Sequence, residues 1–377
     1  MSFAISPEIS AEPAGFSWLR RVDQALRELS QRVTLLGAAT PRNAREERSR
    51  LQALAERRRA AVPMWRYAAL DLGEVRRRLE AIADALVRVR AAGDAPLVGL
   101  YEAKVRELEL EARICECVGR EKAGVLAAQR FASFGVDLAA GAERLAAWWI
   151  GSAAVPTWER TVPTDDETNP DSLLSLMRHE VGRRRIPFAV VVHPQLSALA
   201  ATGNQTILIA ASRRIAVDAA RRTVMHEVEG HVLPRVRAAK SAIGLFALGT
   251  ARGADEQEGY ALVLEDRHGF LTAIRQRELA GRYLAVRAMR EGAPFAEVVQ
   301  NLVADGIPPR DAVVMAERAF RASDGTFPGL GRERVYLESY LRVRAHIAQT
   351  PEDEAVLASG QLALETLDTL RPYAATG

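Results

Sequence analysis

Cysteine is almost missing from this chain of 377 residues, which has only Cys115 and Cys117. The two stand two apart in a helical pattern, which turns their side chains to different faces and excludes a disulfide between them. Without further Cys or His ligands nearby they also make a poor metal site, and they read as ordinary buried or half-buried thiols. Long apolar runs are missing as well. Although 48% of the residues are hydrophobic, no window reaches the roughly 18 apolar residues that a membrane span needs, and no basic stretch leads into an apolar one at the start. The expectation is a cytoplasmic protein with no membrane partner. Nor does charge of one sign prevail, since 51 basic residues stand against 48 acidic ones for a net charge of +3. The two signs interleave along the chain, and basic stretches such as Arg76 to Arg90 read as solvated helix faces that lack the aromatic interleaving of a nucleic-acid surface. A nucleic-acid partner is therefore disfavoured. No feature of the sequence points to an oligomeric state.

From Phe16 to about Phe134 apolar residues recur at spacings of three and four among Ala, Leu, Arg and Glu, which predicts several long helices. Breaks are expected at Pro41-Arg42-Asn43, at Val62-Pro63 and at Ala91 to Pro96. Residues Gly151 to Pro170 carry Pro156, Pro163 and Pro170 with Asp165, Asp166 and Glu167, a composition suited to an exposed connection. The pattern then changes. Phe188 to Val192 and Thr206 to Ala210 are short β-branched runs that predict two strands of a small sheet. Asp218 is the expected N-cap of the helix that follows. The organisation read from this is a helical domain over 1–150, a linker over 151–170, a catalytic domain over 171–350, and a C-terminal helix and tail over 351–377.

The segment His226-Glu227-Val228-Glu229-Gly230-His231 holds two of only six histidines. Two imidazoles and an adjacent carboxylate are what a hydrolytic zinc site draws from one helix: two neutral nitrogen ligands, and a base that takes the proton of the attacking water. The spacing is unusual. Four steps along a regular helix leave two side chains about 40° apart, but five leave them about 140° apart. Chelation by both rings therefore calls for an extra-residue π-bulge near Glu229 and Gly230, and Pro234, which has no N–H to give the Gly230 carbonyl, fits such a bulge. A surface helix with two unrelated histidines is the plain alternative. Downstream, Asp255 to Glu265 starts acidic and turns apolar, so that a carboxylate in the first turn of a second helix can face the first. Asp255, Glu256 and Glu258 are the candidates for a third ligand, with Glu258 preferred. His179-Glu180 begins in the same way, but Arg183 and Arg184 occupy the positions where a second histidine would serve. His193, His268 and His346 read as solvent-facing or structural.

His226-Glu227-Val228-Glu229-Gly230-His231 followed by Gln257-Glu258-Gly259-Tyr260-Ala261 resembles the flavohaemoglobin expression-modulating QEGLA motif proteins and their relatives, the microtubule-associated tyrosine carboxypeptidases. Tyr260 departs from the motif at an apolar position. The likeness extends to Pro41 through Glu47, to Arg318-Ala319-Phe320-Arg321 and to Val335-Tyr336-Leu337. It implies an α+β, mostly helical fold, in which the N-terminal helical region precedes a zincin-like metallopeptidase core with a small mixed sheet. It also implies Zn²⁺ on His226, His231 and Glu258, with Glu227 catalytic, in an enzyme that acts on the C-terminus of a peptide or protein. On that reading Arg318 and Arg321, three apart on one helix face, are candidates for gripping the substrate's terminal carboxylate, and Tyr336 for stabilising the oxyanion. Thr206 to Ala210 is the expected sheet edge for an extended peptide. The rival is a catalytically silent zinc-binding regulatory or peptide-binding protein.

Overall fold

A computed structural model describes residues 17–90, 95–152, 160–194, 196, 198–203 and 205–374. Residues 91–94 of the expected break at Ala91 to Pro96 and residues 153–159 of the expected connection lie outside the described residues, while Ala95 and Pro96 already open the helix Ala95–Cys117. The chain is mostly helical, with two small sheets between residues 161 and 216.

The amphipathic helices Ser17–Arg32, Gly73–Arg90 and Ala95–Cys117 bury Leu26, Leu29, Leu79, Leu86 and Tyr101. They share one apolar core with Leu262 of the helix Gly253–Arg267, Leu337 of the helix Val335–Gln349, and Leu367 and Leu370 near the end of the chain. Cys115 and Cys117 are free and buried in the same cluster. The helix Ala44–Glu56 ends ahead of the expected break at Val62-Pro63, and residues 57–72 run without regular structure.

Strands β1 (Thr161–Pro163), β2 (Ala189–His193), β3 (Ala200–Thr202), β4 (Thr206–Ala210) and β5 (Arg214–Ala216) make two sheets. One pairs β1 with β5 antiparallel, and the other has the order β2-β4-β3 with β2 parallel and β3 antiparallel to β4. The second sheet is thus mixed, as expected. The expected edge strand, however, is the central one. Ile207 and Ile209 of β4 are fully buried, and its backbone is paired on both sides, so β2 and β3 are the edges. The connection through β3 is what the local pattern of residues 200–202 was too short to reveal.

Beneath β4, Leu173, Leu174 and Met177 of the helix Leu173–Arg183 meet Ala220, Val224, Val228 and Val232 of the segment that holds the two histidines. That segment follows β5 directly. Its α-helical part, Val217–Met225, is preceded by Ala216 as N-cap, so Asp218 is not the cap. Asp218 lies in the first turn instead, where its charge suits the positive end of the helix.

Candidate metal centre

After Met225 the helix widens. His226–Val232 is π-helical, and the Leu233 amide donates to the Val228 carbonyl five residues back. The i to i+5 bond absorbs the odd residue of the histidine spacing and returns His231 to the side of His226, as the sequence required. Pro234 then opens the α-helix Leu233–Ala238, a position where its missing N–H costs little. Within the π segment Val228 and Val232 face the sheet, while Gly230 faces the helix Gly253–Arg267 so closely that a Cβ there would lie 2.6 Å from the Ala261 Cβ.

That helix begins after Arg252, which adopts left-handed backbone angles. Every residue of the motif Gln257 to Ala261 has a distinct contact. Gln257 Oε1 lies 2.9 Å from His231 Nδ1. Glu258 Oε2 lies 3.6 Å from His226 Nε2 and 3.8 Å from His231 Nε2. Gly259 lets the helix Val335–Gln349 approach, since a Cβ would fall 2.4 Å from the Ser339 carbonyl carbon. The Tyr260 hydroxyl donates to Glu354 at 3.4 Å, and Ala261 receives Gly230. Asp255 and Glu256, the other candidate ligands, turn away: Asp255 accepts from Arg130, and Glu256 from Arg342 and the Leu364 amide.

The two Nε2 atoms are 3.3 Å apart. Two donors held about 2.0–2.2 Å from one zinc ion at the tetrahedral angle stand roughly 3.3–3.5 Å from each other. The donor atoms of His226, His231 and Glu258 all lie within 4.8 Å of one another, and among the described residues this is the group of His, Cys, Asp and Glu that could hold a metal ion.

Outer partners orient each ligand. His226 Nδ1 is 2.7 Å from Glu265 Oε1, and Arg275 bonds both Glu265 oxygens at 2.9 and 3.0 Å. A ring whose Nδ1–H is taken by a carboxylate presents the Nε2 lone pair inward. Burial works against charge on His226, but Glu258 and Glu265 outweigh it and push the imidazole up to about 9. Burial likewise opposes ionisation of Glu265, and Arg275 and His226 overcome it to hold the carboxyl down at about 2. Glu258 also lies well below the ordinary carboxylate range, because His226 and Arg332 outweigh its burial. Glu227, buried beside His226, accepts from the Thr202 hydroxyl of β3 at 2.8 Å.

A family model for microtubule-associated tyrosine carboxypeptidase matches residues 52–377. The chain belongs to that family. Membership implies a carboxypeptidase-like activity, and the matched span holds both motifs, although it begins after Pro41 to Glu47. No match was found among curated protein sequences. In this family member Tyr336 is linked to the three residues through Arg332: its hydroxyl accepts from Arg332 Nη1 at 3.2 Å, and Arg332 Nη2 donates to Glu258 Oε1 at 2.9 Å.

Arg318 and Arg321 come together, but not on one helix face, because the helix Pro309–Ala319 ends between them and Ala322 follows with a positive φ of 70°. They meet instead at Glu333, whose Oε2 is 2.9 Å from Arg318 Nε and whose Oε1 is 3.8 Å from Arg321 Nη1. Arg282 adds a third guanidinium 3.6 Å from Glu333. Burial and the neighbouring Arg318 pull Arg321 down to about 10. Glu180 of the rejected second motif pairs with Arg183 and Arg184, and Arg184 continues to Glu229 at 2.6 Å. His268 Nδ1 is 2.9 Å from the Leu264 carbonyl and His346 Nε2 is 2.7 Å from Asp353, both structural contacts.

Sequence reasoning missed Arg332, Glu265, Gln257 and Thr202 as parts of the site. Glu265 carried a usable signal, standing seven residues and two turns after Glu258 on the same helix face. Thr202 and Arg332 carried none, for only the folded chain brings them near.

Proposed function

We propose that this chain is a zinc-dependent carboxypeptidase that removes residues from the C-terminus of a peptide or protein, within a zincin-like arrangement of sheet and motif helix. The observation that carries the reading is the convergence of His226 Nε2, His231 Nε2 and Glu258 Oε2 at tetrahedral spacing, with each Nδ1 already engaged. That donor set, two imidazole nitrogens and one carboxylate, suits a catalytic zinc, which would displace the Nε2 proton that Glu258 and Glu265 favour on His226. Bound there, zinc would act as a Lewis acid and lower the pKa of water.

The protein's own groups divide the remaining work. Glu227, held by Thr202, takes the proton of the attacking water and passes it to the leaving amine. The Tyr336 hydroxyl, with Arg332 at its oxygen, is free to donate its proton to the developing oxyanion. Arg318 and Arg321 receive the terminal carboxylate of the substrate, because the two share the single carboxylate of Glu333, while Arg282 beside them is paired with Glu278, and this leaves positive charge in excess. The substrate backbone extends along the β3 edge, whose Thr202 already reaches Glu227. Among the described residues no helix is long and apolar enough to cross a membrane.

The test pairs metal content with hydrolysis. Mass spectrometry of purified protein should find one zinc per chain in the wild type, and less in His231→Ala and Glu258→Ala. Glu227→Gln should keep the zinc and lose turnover of a peptide library. Cleavage should require a free terminal carboxylate, so C-terminally amidated peptides should survive. A wild type that holds zinc but cleaves neither form would favour the silent, peptide-binding alternative.

A further inference from the structure

Gln361 lies 104 residues after Gln257, in the C-terminal segment, and its Nε2 donates to Gln257 Oε1 at 2.9 Å. The same Oε1 is 2.9 Å from His231 Nδ1. The amide oxygen of Gln257 thus takes two donors, while its Nε2 is buried and has no hydrogen-bond partner among the described residues. Which way this amide points is decided wholly at its oxygen end. Two lone pairs there match two donors, so the ring proton of His231 sits on Nδ1 and the Nε2 lone pair faces His226 and Glu258. Turned over, the amide would aim N–H groups at His231 Nδ1 and at the Gln361 amide together, which puts donor against donor.

Gln361 is itself fixed by its backbone. Its amide donates to the Phe246 carbonyl at 3.2 Å, and its carbonyl accepts from the Thr250 amide at 2.9 Å. Gly253, at the start of the ligand-bearing helix, passes so close that a Cβ would fall 2.1 Å from the Gln361 carbonyl oxygen. The side chain therefore stands at a set distance from Gln257, and the C-terminal segment is tied to the first turn of the helix that carries Glu258.

We infer that Gln361 is a positioning residue: by donating to Gln257 Oε1 it fixes the tautomer of His231 that leaves Nε2 free to bind metal. The inference rests on the zinc reading for its purpose, but the tautomer itself is a property of the metal-free chain. Substitution by Glu isolates the effect. A carboxylate at 361 accepts only, so Gln257 turns its NH₂ toward both neighbours, and His231 Nδ1 becomes an acceptor with its proton on Nε2. Gln361→Met removes the donor and brings neither charge nor acceptor, so it separates loss of the bond from reversal of the relay.

The experiment uses full-length protein stripped of metal and titrated with Zn²⁺ against a chromogenic chelator. In parallel, long-range ¹H–¹⁵N spectra of the metal-free protein report the His231 tautomer, and thermal unfolding checks the fold. Gln361→Glu should weaken zinc binding about 10- to 100-fold, the range for loss of an outer-shell partner, and should move the ring proton to Nε2. Gln361→Met, which removes the donor without imposing an acceptor, should weaken binding less. Equal losses in Gln361→Glu and Gln361→Met would mean simple packing and overturn the relay. An unchanged tautomer in Gln361→Glu would overturn it too. If the wild type takes up no zinc, the proposed function falls, while the tautomer measurement still decides the role of Gln361.

Discussion

Glu258 and Glu265 stand two turns apart on one helix and address opposite nitrogens of the same histidine: Glu258 Oε2 is 3.6 Å from His226 Nε2, and Glu265 Oε1 is 2.7 Å from Nδ1. On the proposed reading one carboxylate shares a metal with the ring, and the other fixes its orientation. Their surroundings differ accordingly. Glu258 keeps one oxygen for Arg332 and turns the other to the histidines, whereas Glu265 is fully buried with both oxygens on Arg275.

Glu265→Gln follows as the first test of that division. The amide can still accept from His226 Nδ1, but it loses the charge that makes the ring a stronger ligand and that balances Arg275. Zinc affinity should fall about tenfold or more, as for other outer-shell carboxylates, when measured by chelator competition. Unchanged affinity would show that Glu265 serves only to neutralise Arg275.

The close packing of Gly230 on Ala261 gives a second prediction. A methyl group at 230 meets the Ala261 Cβ at 2.6 Å, between two backbones that the core holds in place. Gly230→Ala should therefore cost about 1–3 kcal/mol of stability, the usual penalty for overpacking, and should weaken zinc by separating His231 from Glu258. Gly230→Ala with Ala261→Gly restores the room and should recover most of both losses in urea unfolding and zinc titration. Failure of the double variant to recover would mean that the backbone freedom of Gly230, not its size, supports the π segment.

This packing also shows what the sequence could and could not reveal. The six-residue histidine segment carried its own geometric demand, since two rings five apart cannot meet on a regular helix, and the π segment supplies what was missing. Glu258 was legible because it begins an acidic-to-apolar helix, and β4 because Thr206 to Ala210 is β-branched and apolar. Pairing is another matter. β4 lies inside its sheet because β3, three residues of small side chains, covers one of its sides, and nothing in Ala200 to Thr202 announces a strand. Arg332 is one cation among many in the sequence and is distinguished only by its contact with Glu258. Arg318 and Arg321 share a helical spacing, yet the helix stops at Ala319. Local periodicity does not see a chain reversal one residue later.

Glu333 offers a prediction about acid. It is fully shielded from solvent and lies among Arg282, Arg318 and Arg321. Burial would raise its pKa, but these guanidinium groups hold it at about 2. A folded pKa below the unfolded value of about 4.3 contributes stability that is present above pH 4.3 and lost as pH falls toward 2. Glu333→Gln should cost about 3–5 kcal/mol at neutral pH, the usual penalty for leaving a buried charge without its partner. The gap between wild type and variant should narrow as urea unfolding is repeated from pH 5 downward. A gap that stays constant with pH would mean that packing, not charge, accounts for the loss.

Thr202 decides how far the β3 edge takes part in catalysis. Its hydroxyl donates to Glu227 Oε2 at 2.8 Å, from an edge strand that leaves one side of its backbone unpaired among the described residues. Two roles meet there, since a peptide added along β3 would lie beside the residue that steadies the proposed general base. Thr202→Val keeps the β-branched shape and removes only the donor. A hydrogen bond to a charged group contributes about 1.5–3 kcal/mol, so if Glu227 relies on this bond in the transition state, kcat should fall roughly 10- to 100-fold. KM and zinc content should hold, because neither the strand backbone nor the ligands change. A rise in KM with kcat preserved would instead assign Thr202 to binding the extended substrate and leave Glu227 to be oriented by the π segment alone.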